Sequence, residues 1–211
     1  MTRTHAETVA ALLARHDRTY GQEAGIALED SPAPLYQLLV LANLLSARIG
    51  AGVAVASARE LFAAGCRTPE AVRAAPRRKL IAALGRGGYA RYDERTTTML
   101  RDGADLLLDT WSGDLRRLRE ACDGPKDILK RLQEFPGIGP TGAAIFAREA
   151  QGVWPVLAPH LDRKALDGAR RLGLPQDASA LADLVTPEQL PVLASGLVRV
   201  ALHRGADDPL G

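Results

Sequence analysis

The segment Pro136-Gly137-Ile138-Gly139, with two glycines around one aliphatic residue, is the part of this sequence that most clearly indicates chemistry. Glycine adopts backbone angles that other residues avoid, so the spacing predicts a tight turn. An amphipathic helix ends at Phe135, and a new helix opens at Pro140. Free N–H groups at the start of that second helix, beside residues without side chains, favour a bound phosphate. The segment therefore predicts a phosphate-binding hairpin, although a plain turn between core helices has the same pattern.

The neighbours of the glycines fit such a hairpin. Ile138 is expected to fill the core between the two helices, and Ala143 and Ala144 are small enough for close packing. Thr141 and Gly142 stand in the first turn of the second helix, where they would border the phosphate. The contact would be made by main-chain atoms, so it would not depend on the sequence of a nucleic acid.

Two other polar residues need an explanation. Asp162 opens a predicted helix over residues 162–172, where a carboxylate that caps free N–H groups contributes about 1 kcal/mol. Asn43 stands among leucines in a predicted central helix, and a buried amide without a partner costs about 1–3 kcal/mol. Asn43 therefore either hydrogen-bonds to a neighbouring helix or faces a polar cleft.

The elements that position these residues are predicted to be helices. Hydrophobic residues make up 46% of the chain and aromatic residues 4%. Alanine and leucine dominate, and both lose little entropy in a helix. No alternating strand pattern of useful length is present, so the predicted class is all-α. The predicted helices cover residues 6–20, 35–49, 53–64, 76–84, 89–110, 113–121, 125–135, 140–150, 162–172, 177–185 and 187–203, with another from Thr68 and a linker over 21–34.

Charge and cysteine content limit the classes of partner. A net charge of +2 is too small to establish a nucleic-acid partner, and the basic run Arg73 to Lys79 has the composition of a solvated helix face. Cys66 and Cys122 form no C-x-x-C pair, so no disulfide framework or metal site is predicted. The N-terminus lacks an apolar signal core, and no apolar run approaches the ~20 residues of a membrane span. We expect a cytoplasmic protein that does not contact membranes.

Three segments together resemble the endonuclease III branch of the helix-hairpin-helix DNA glycosylases. Pro136-Gly137-Ile138-Gly139 is similar to the family's L-P-G-V-G pattern, and Leu44-Leu45-Ser46-Ala47-Arg48 is similar to its early L-L-S-A-Q stretch. Trp154-Pro155, followed by Asp162 and then Arg171-Leu172-Gly173-Leu174, resembles the stretch with the family's catalytic aspartate. The resemblance covers roughly residues 30–175. It implies a two-lobed helical fold with double-stranded DNA in the cleft between the lobes.

The resemblance implies that Asp162 is the catalytic carboxylate. Breaking the bond between base and deoxyribose builds positive charge on the sugar, which a nearby carboxylate stabilises while it orients water. The target base must first be flipped out of the duplex into a pocket. A gapless alignment would place His160 at the aspartate's position, whereas the distance from Asp162 to Arg171-Leu172-Gly173-Leu174 fits the family and favours Asp162. Asn43 and His160 are our candidate pocket residues.

Departures from the family pattern shape the predicted reaction. Thr141 stands where the bifunctional members carry a lysine, and threonine cannot form the imine that leads to strand cleavage. Lys164 is an alternative amine, but we expect a monofunctional glycosylase with little or no lyase activity. The cysteine loop that holds the family's iron–sulfur cluster has no counterpart, so we expect no cluster and no other metal cofactor. Binding of a monovalent cation at the hairpin is an alternative that the sequence leaves open.

A further departure concerns the residues that would meet DNA. Arg48 replaces the glutamine that relatives insert into the gap left by the flipped base. It could fill that gap and contact the opposite base, or it could be a surface arginine that touches phosphates. Adenine-specific relatives carry a catalytic glutamate near the place of Asn43, and an amide cannot be that acid. The other candidate DNA contacts, chosen for charge or stacking, are Arg86, Tyr89, Arg91, Arg163 and Lys164.

The predicted lobes differ in what they carry. Residues 30–140 would form a barrel-like helical bundle that ends in the hairpin, and residues 1–29 would join residues 141–211 in a second lobe with Asp162. The expected function is a monomeric DNA glycosylase that releases a damaged base in base excision repair. Two alternatives stay open. One is a catalytically inactive protein of the same fold that binds damaged or distorted DNA, and the other is a helical protein-interaction module.

Overall fold

A computed structural model of the protein describes residues 3–203, 205 and 210, and within these residues the chain forms helices and no β-strand. The predicted all-α class is confirmed. A 3-10 turn covers Pro155–Leu157. The α-helices are α1 His5–Arg15, α2 Tyr20–Glu23, α3 Pro32–Ser46, α4 Ala51–Ala63, α5 Pro69–Ala74, α6 Arg77–Arg86, α7 Asp93–Trp111, α8 Leu115–Glu120, α9 Pro125–Leu132, α10 Pro140–Ala150, α11 Arg163–Arg171, α12 Ala178–Ala182 and α13 Leu190–Leu202.

The chain divides into two compact units. The central unit is Gly21–Phe146, and the terminal unit is Met1–Tyr20 together with Ala147–Gly211. The boundaries fall inside α2 and α10, whereas the sequence analysis placed them near residues 29 and 140. Helical periodicity does not reveal such a boundary, because one helix can contribute residues to both units.

Helix α3 forms the core of the central unit. All residues from Leu35 to Leu44 are buried, as expected for a helix that is apolar on nearly every side. The helix begins before the predicted residue 35, because Pro32 and Pro34 occupy its first turn, where a missing N–H costs no hydrogen bond. It ends at Ser46, so Arg48 lies beyond the helix and is exposed.

Close packing of α11 against α13 organises the terminal unit, and α1 packs on α13 as well. Gly168 of α11 lies so near to α13 that a Cβ atom at this position would be 1.9 Å from the carbonyl oxygen of Leu197. Only a residue without a side chain fits there, because heavy atoms that are not bonded do not approach so closely. Helix α13 is accordingly buried over most of its length.

Arg171 joins the ends of these two helices. Its Nη1 atom donates to the carbonyl oxygens of Val200 and His203 at 2.7 Å each, and Ala201 O lies at 3.4 Å. These carbonyls belong to the C-terminal end of α13, where a helix has no internal donors left. The arginine of the Arg171-Leu172-Gly173-Leu174 segment therefore caps the last helix.

Replacing Arg171 with methionine should lower the melting temperature. The loss of a cationic cap costs about 1 kcal/mol, and a chain of this length then melts about 2–4 °C lower. The matched control is Arg170→Met, because Arg170 forms an exposed ion pair with Asp167 at 3.0 Å and such pairs contribute little. Thermal unfolding followed by circular dichroism compares the variants, and equal melting temperatures would contradict the capping role.

The two cysteines are free thiols in unreactive surroundings. Burial raises the pKa of the Cys66 thiol and, with nearby carboxylates, raises the pKa of Cys122 to about 11. Little thiolate is then present at neutral pH, and thiolate is the reactive form.

A bilayer-crossing helix needs a long apolar stretch, and none of the helices in residues 3–203, 205 and 210 has one.

Candidate functional site

The hairpin between α9 and α10 has the geometry that its glycines predicted. Gly137 has a φ of +82°, in the left-handed region that favours glycine. Phe135 and Ile138 are 2% and 4% exposed, and the N–H of Ile138 donates to the Phe135 carbonyl at 2.9 Å. Ile138 therefore anchors the turn in the core, as predicted, and its side chain cannot reach a ligand.

The outer side of the hairpin presents main-chain donors. Among the described residues, none accepts a hydrogen bond from the N–H groups of Gly139, Thr141 or Gly142. Gly139 and Thr141 are exposed, and a Cβ atom at Gly139 would meet nothing within 4 Å. Gly142, which was also predicted to border the phosphate, is instead buried, because the side chain of Ile138 packs against it. Gly139 does not have a positive φ. Its lack of a side chain therefore keeps space open and is not needed for the backbone conformation.

Asn43 of α3 is hydrogen-bonded to the hairpin. Its Nδ2 atom donates to the Pro136 carbonyl at 2.9 Å. A Cβ atom at Gly137 would lie 2.3 Å from that same Nδ2 atom, so the glycine is also needed for this contact. Ser46 donates to the Asn43 carbonyl at 2.8 Å, and its hydroxyl lies 3.4 Å from the Gly137 carbonyl. The buried amide thus has its partner in the hairpin.

A cavity of about 440 Å³ lies next to the hairpin within the central unit. Asn43 lines it, and its hydrogen-bond partner, Pro136, lies in the turn between α9 and α10 and not in a neighbouring helix as the first alternative supposed. Two exposed arginines, Arg48 and Arg95, line it as well, and none of its lining residues is Asp or Glu. The lining residues are Asn43, Ser46, Ala47, Arg48, Tyr89, Tyr92, Arg95, Thr96, Met99 and Gly137.

The predicted basic and aromatic contacts are only partly brought together. Tyr89 is 3% exposed and accepts a hydrogen bond from Thr96 Oγ1 at 3.0 Å, so it forms the cavity wall and is not an exposed stacking ring. Arg86 pairs with Glu60 at 2.6 Å. Arg91 lies over the ring of Tyr92, 5.4 Å from its centroid. Neither arginine lines the cavity, whereas Arg48 does.

In the terminal unit, Asp162 is the N-cap of α11. Its Oδ1 atom accepts from the Ala165 N–H at 2.9 Å. Its Oδ2 atom accepts from Arg148 Nε at 3.2 Å and also from Arg148 Nη2. The side chains of Arg148 and Asp162 are 5% and 12% exposed. Asp162 thus has the predicted capping role and also forms a buried ion pair with Arg148.

The loop before Asp162 is fixed through Gln151. The Gln151 side chain donates to the His160 carbonyl at 3.0 Å and accepts from the His160 N–H at 2.8 Å. The candidate residues Arg163 and Lys164 follow in the first turn of α11 and are exposed. Lys164 Nζ lies 3.6 Å from Asp167 Oδ2. Residues 3–203, 205 and 210 contain no group of three His, Cys, Asp or Glu side chains arranged to bind a metal ion.

Sequence reasoning missed Arg148 and Gln151. Arg148 lies in the last turn of α10, Gln151 directly follows that helix, and both residues are 4% exposed. A signal was present, because charged and amide side chains interrupt a helix that is otherwise rich in Ala, Ile and Phe. Polar side chains in such surroundings need partners. The identity of the partners depends on the tertiary structure.

Of the comparisons with known proteins, the one with solved structures shows the fold. No protein-family model matches the sequence, and no curated protein does. A trapped covalent endonuclease III–DNA intermediate with an estranged adenine is similar in structure, with a TM-score of 0.54, 16% identity, and coverage of 90% of this chain and 81% of that chain. A non-covalent endonuclease III–DNA complex gives a TM-score of 0.53 and 17% identity, over 90% of this chain and 80% of that one. The protein therefore has the endonuclease III fold.

Proposed function

We propose that the protein is a DNA glycosylase that binds double-stranded DNA and hydrolyses the bond between a damaged base and its deoxyribose. The observation that carries the proposal is that the N–H groups of the exposed residues Gly139 and Thr141 are unengaged, beside the open position at Gly139. Such groups at a helix start bind an anion, and the DNA backbone supplies a phosphate. The similar solved structures are endonuclease III bound to DNA, which fits this partner.

We assign Asp162 as the catalytic carboxylate. When the C1′–N bond breaks, its electron pair leaves with the base and the sugar becomes positively charged, and a fixed carboxylate stabilises that charge. A water oxygen then bonds to C1′ and gives up one proton, and the departing base takes up one proton. The hydrolysis therefore balances with one molecule of water.

Thr141 makes the proposed enzyme monofunctional. Its hydroxyl cannot form the imine on the sugar that an amine nucleophile forms. The product should be an intact strand with an abasic site. Borohydride, which reduces such an imine to a stable protein–DNA adduct, should therefore trap no adduct, and the strand should break only after alkali.

The cavity beside the hairpin is our proposed receptor for the flipped base. Its volume of about 440 Å³ lies in the range of small-molecule pockets, about 300–1,000 Å³. Arg48 lines this cavity and is exposed, so its guanidinium can enter the space that the base leaves in the duplex. Asn43 and Tyr89 are fixed by hydrogen bonds and would give the pocket its shape.

The variant Gly139→Ala tests the hairpin. A methyl group at this position meets no protein atom, so the melting temperature should stay unchanged, while the methyl group would stand where the phosphate approaches. We expect DNA affinity to fall about tenfold, an energetic loss of about 1.4 kcal/mol.

Gly52→Ala is the control, because a Cβ atom there also meets nothing and the residue lies in α4 of the same unit. Binding is measured by gel shift at two salt concentrations. Wild-type affinity should fall as salt rises, since binding to phosphates releases counterions. A wild-type affinity that does not change with salt concentration would indicate a protein-interaction module. If Gly139→Ala bound DNA as tightly as wild type, the proposed phosphate contact would be contradicted.

Catalysis is tested with duplexes that carry single alkylated, oxidised or deaminated bases. Base release is detected as alkali-dependent strand breakage under single-turnover conditions. The second candidate function is a protein that binds distorted DNA without cutting. It is favoured by the ion pair of Asp162, because both carboxylate oxygens already have partners within the protein. Binding with no base release from any duplex would support this candidate.

A further inference from the structure

Arg148 has an unusual environment for an arginine. Its side chain is 5% exposed, and within the described residues it forms an ion pair with Asp162. Charged side chains are seldom buried to this extent unless they are paired. The pair connects the end of α10, the helix that begins at the hairpin, with the start of α11.

The hydrogen bonds of Asp162 nearly exhaust its acceptor sites. A carboxylate offers about four such sites, two on each oxygen. The Nε and Nη2 groups of Arg148 take both sites of Oδ2. The Ala165 N–H takes one site of Oδ1. One site on Oδ1 is left, and the Asp162 side chain is 12% exposed.

We propose that Arg148 is a positioning residue for hydrolysis: by holding Oδ2, it leaves one acceptor site on Oδ1 of Asp162 in a fixed direction for the attacking water. This proposal rests on the proposed function. A carboxylate with two free oxygens could rotate and bind several waters in several orientations. Fixing one oxygen removes that freedom before DNA binds, and such preorganisation is a large part of catalysis.

Gln151 supports the same arrangement through the backbone. Its amide bridges both the N–H and the carbonyl of His160 while its Nε2 also donates to the Arg148 carbonyl at 2.7 Å. The loop that leads into Asp162 is thus attached to the same helix end that carries Arg148. The side chain and the backbone of the carboxylate residue are positioned from a single element.

A double-mutant cycle tests the proposal. Single-turnover base release and DNA affinity are measured for wild type, Arg148→Met, Asp162→Asn and the double variant. We expect Arg148→Met to slow base release about 20- to 100-fold, since small misplacements of a catalytic group have effects of this size. DNA affinity should change less than about threefold. In the Asp162→Asn background, Arg148→Met should slow release by less than about twofold, because its effect passes through Asp162.

Two further variants keep the test decisive. Arg148→Lys keeps the charge but cannot donate two hydrogen bonds to Oδ2 in the geometry of a guanidinium, so its rate of base release should lie between those of Arg148→Met and wild type. If Arg148→Met does not fold, Arg148→Lys replaces it in the test. Arg170→Met, which removes an exposed arginine of α11, should release base at the wild-type rate.

The outcomes separate this proposal from the proposed function. If wild-type protein releases no base from any duplex, the proposed function fails, and the positioning role fails with it. If wild type is active and Arg148→Met releases base at an equal rate, or slows it equally with and without Asp162, only the positioning role is overturned. Loss of DNA binding in parallel with loss of rate would also overturn it.

Discussion

Replacing Asp162, the proposed catalytic carboxylate, with asparagine should lower the rate of base release at least about 100-fold, because the sugar cation would then lose the anion that stabilises it. DNA affinity should stay within a few-fold of wild type, since the proposed phosphate contact lies at the hairpin and not at Asp162. Asparagine can still accept the Ala165 N–H through its amide oxygen, so the cap of α11 is kept. Single-turnover release from the preferred lesion duplex measures the effect.

Asp177→Asn is the matched control. Asp177 caps α12 in the same unit and accepts from the Ala180 N–H at 2.9 Å, the same cap geometry without an arginine partner. This variant should have the wild-type rate. If Asp162→Asn released base as fast as wild type, the assignment of the catalytic carboxylate would be wrong, and His160 would become the next residue to test.

The largest expected effect on stability comes from Gly168→Ala. A methyl group at this position would collide with the main chain of Leu197, which cannot rotate away as a side chain can. Helices α11 and α13 would have to separate, at a cost of at least about 3 kcal/mol, beyond the usual range for overpacking. The melting temperature should fall by about 6–12 °C.

Gly196→Ala in α13 is the comparison. There a Cβ atom would meet Leu12 Cγ at 3.3 Å and His16 Cβ at 3.4 Å, and a shift of a few tenths of an ångström relieves both contacts. We expect a change of less than about 1 kcal/mol. Scanning calorimetry distinguishes the two variants, and equal melting temperatures would mean that the helices are not held as closely as described.

The sequence predicted those features that depend on local chemistry. The spacing of Gly137 and Gly139 predicted the turn, and the position of Asp162 before a helical pattern predicted its capping role. In both cases the backbone conformation follows from residues within one or two turns. The two glycines nevertheless have different tasks, since Gly137 needs its positive φ and Gly139 does not. Spacing alone could not separate them.

Features that depend on tertiary contacts could not be predicted. The contact from Asn43 to the Pro136 carbonyl joins residues far apart in the chain, and a sequence offers many such donors for one acceptor. The burial of Tyr89, which follows a glycine-rich turn, could likewise not be predicted from the sequence, because tyrosine occurs on surfaces as well as in cores. The end of α3 at Ser46 was also missed, since the apolar pattern continues beyond it.

If the protein acts on DNA as proposed, the pairing of Arg148 with Asp162 also affects how it approaches undamaged duplex. A single uncompensated carboxylate near DNA repels the backbone, which carries one negative charge per ~1.7 Å of duplex. The ion pair is neutral as a whole, so this repulsion largely cancels at a distance, while at close range the carboxylate oxygen is still an anion for the sugar. We therefore expect the proposed enzyme to move over undamaged DNA with its carboxylate already positioned.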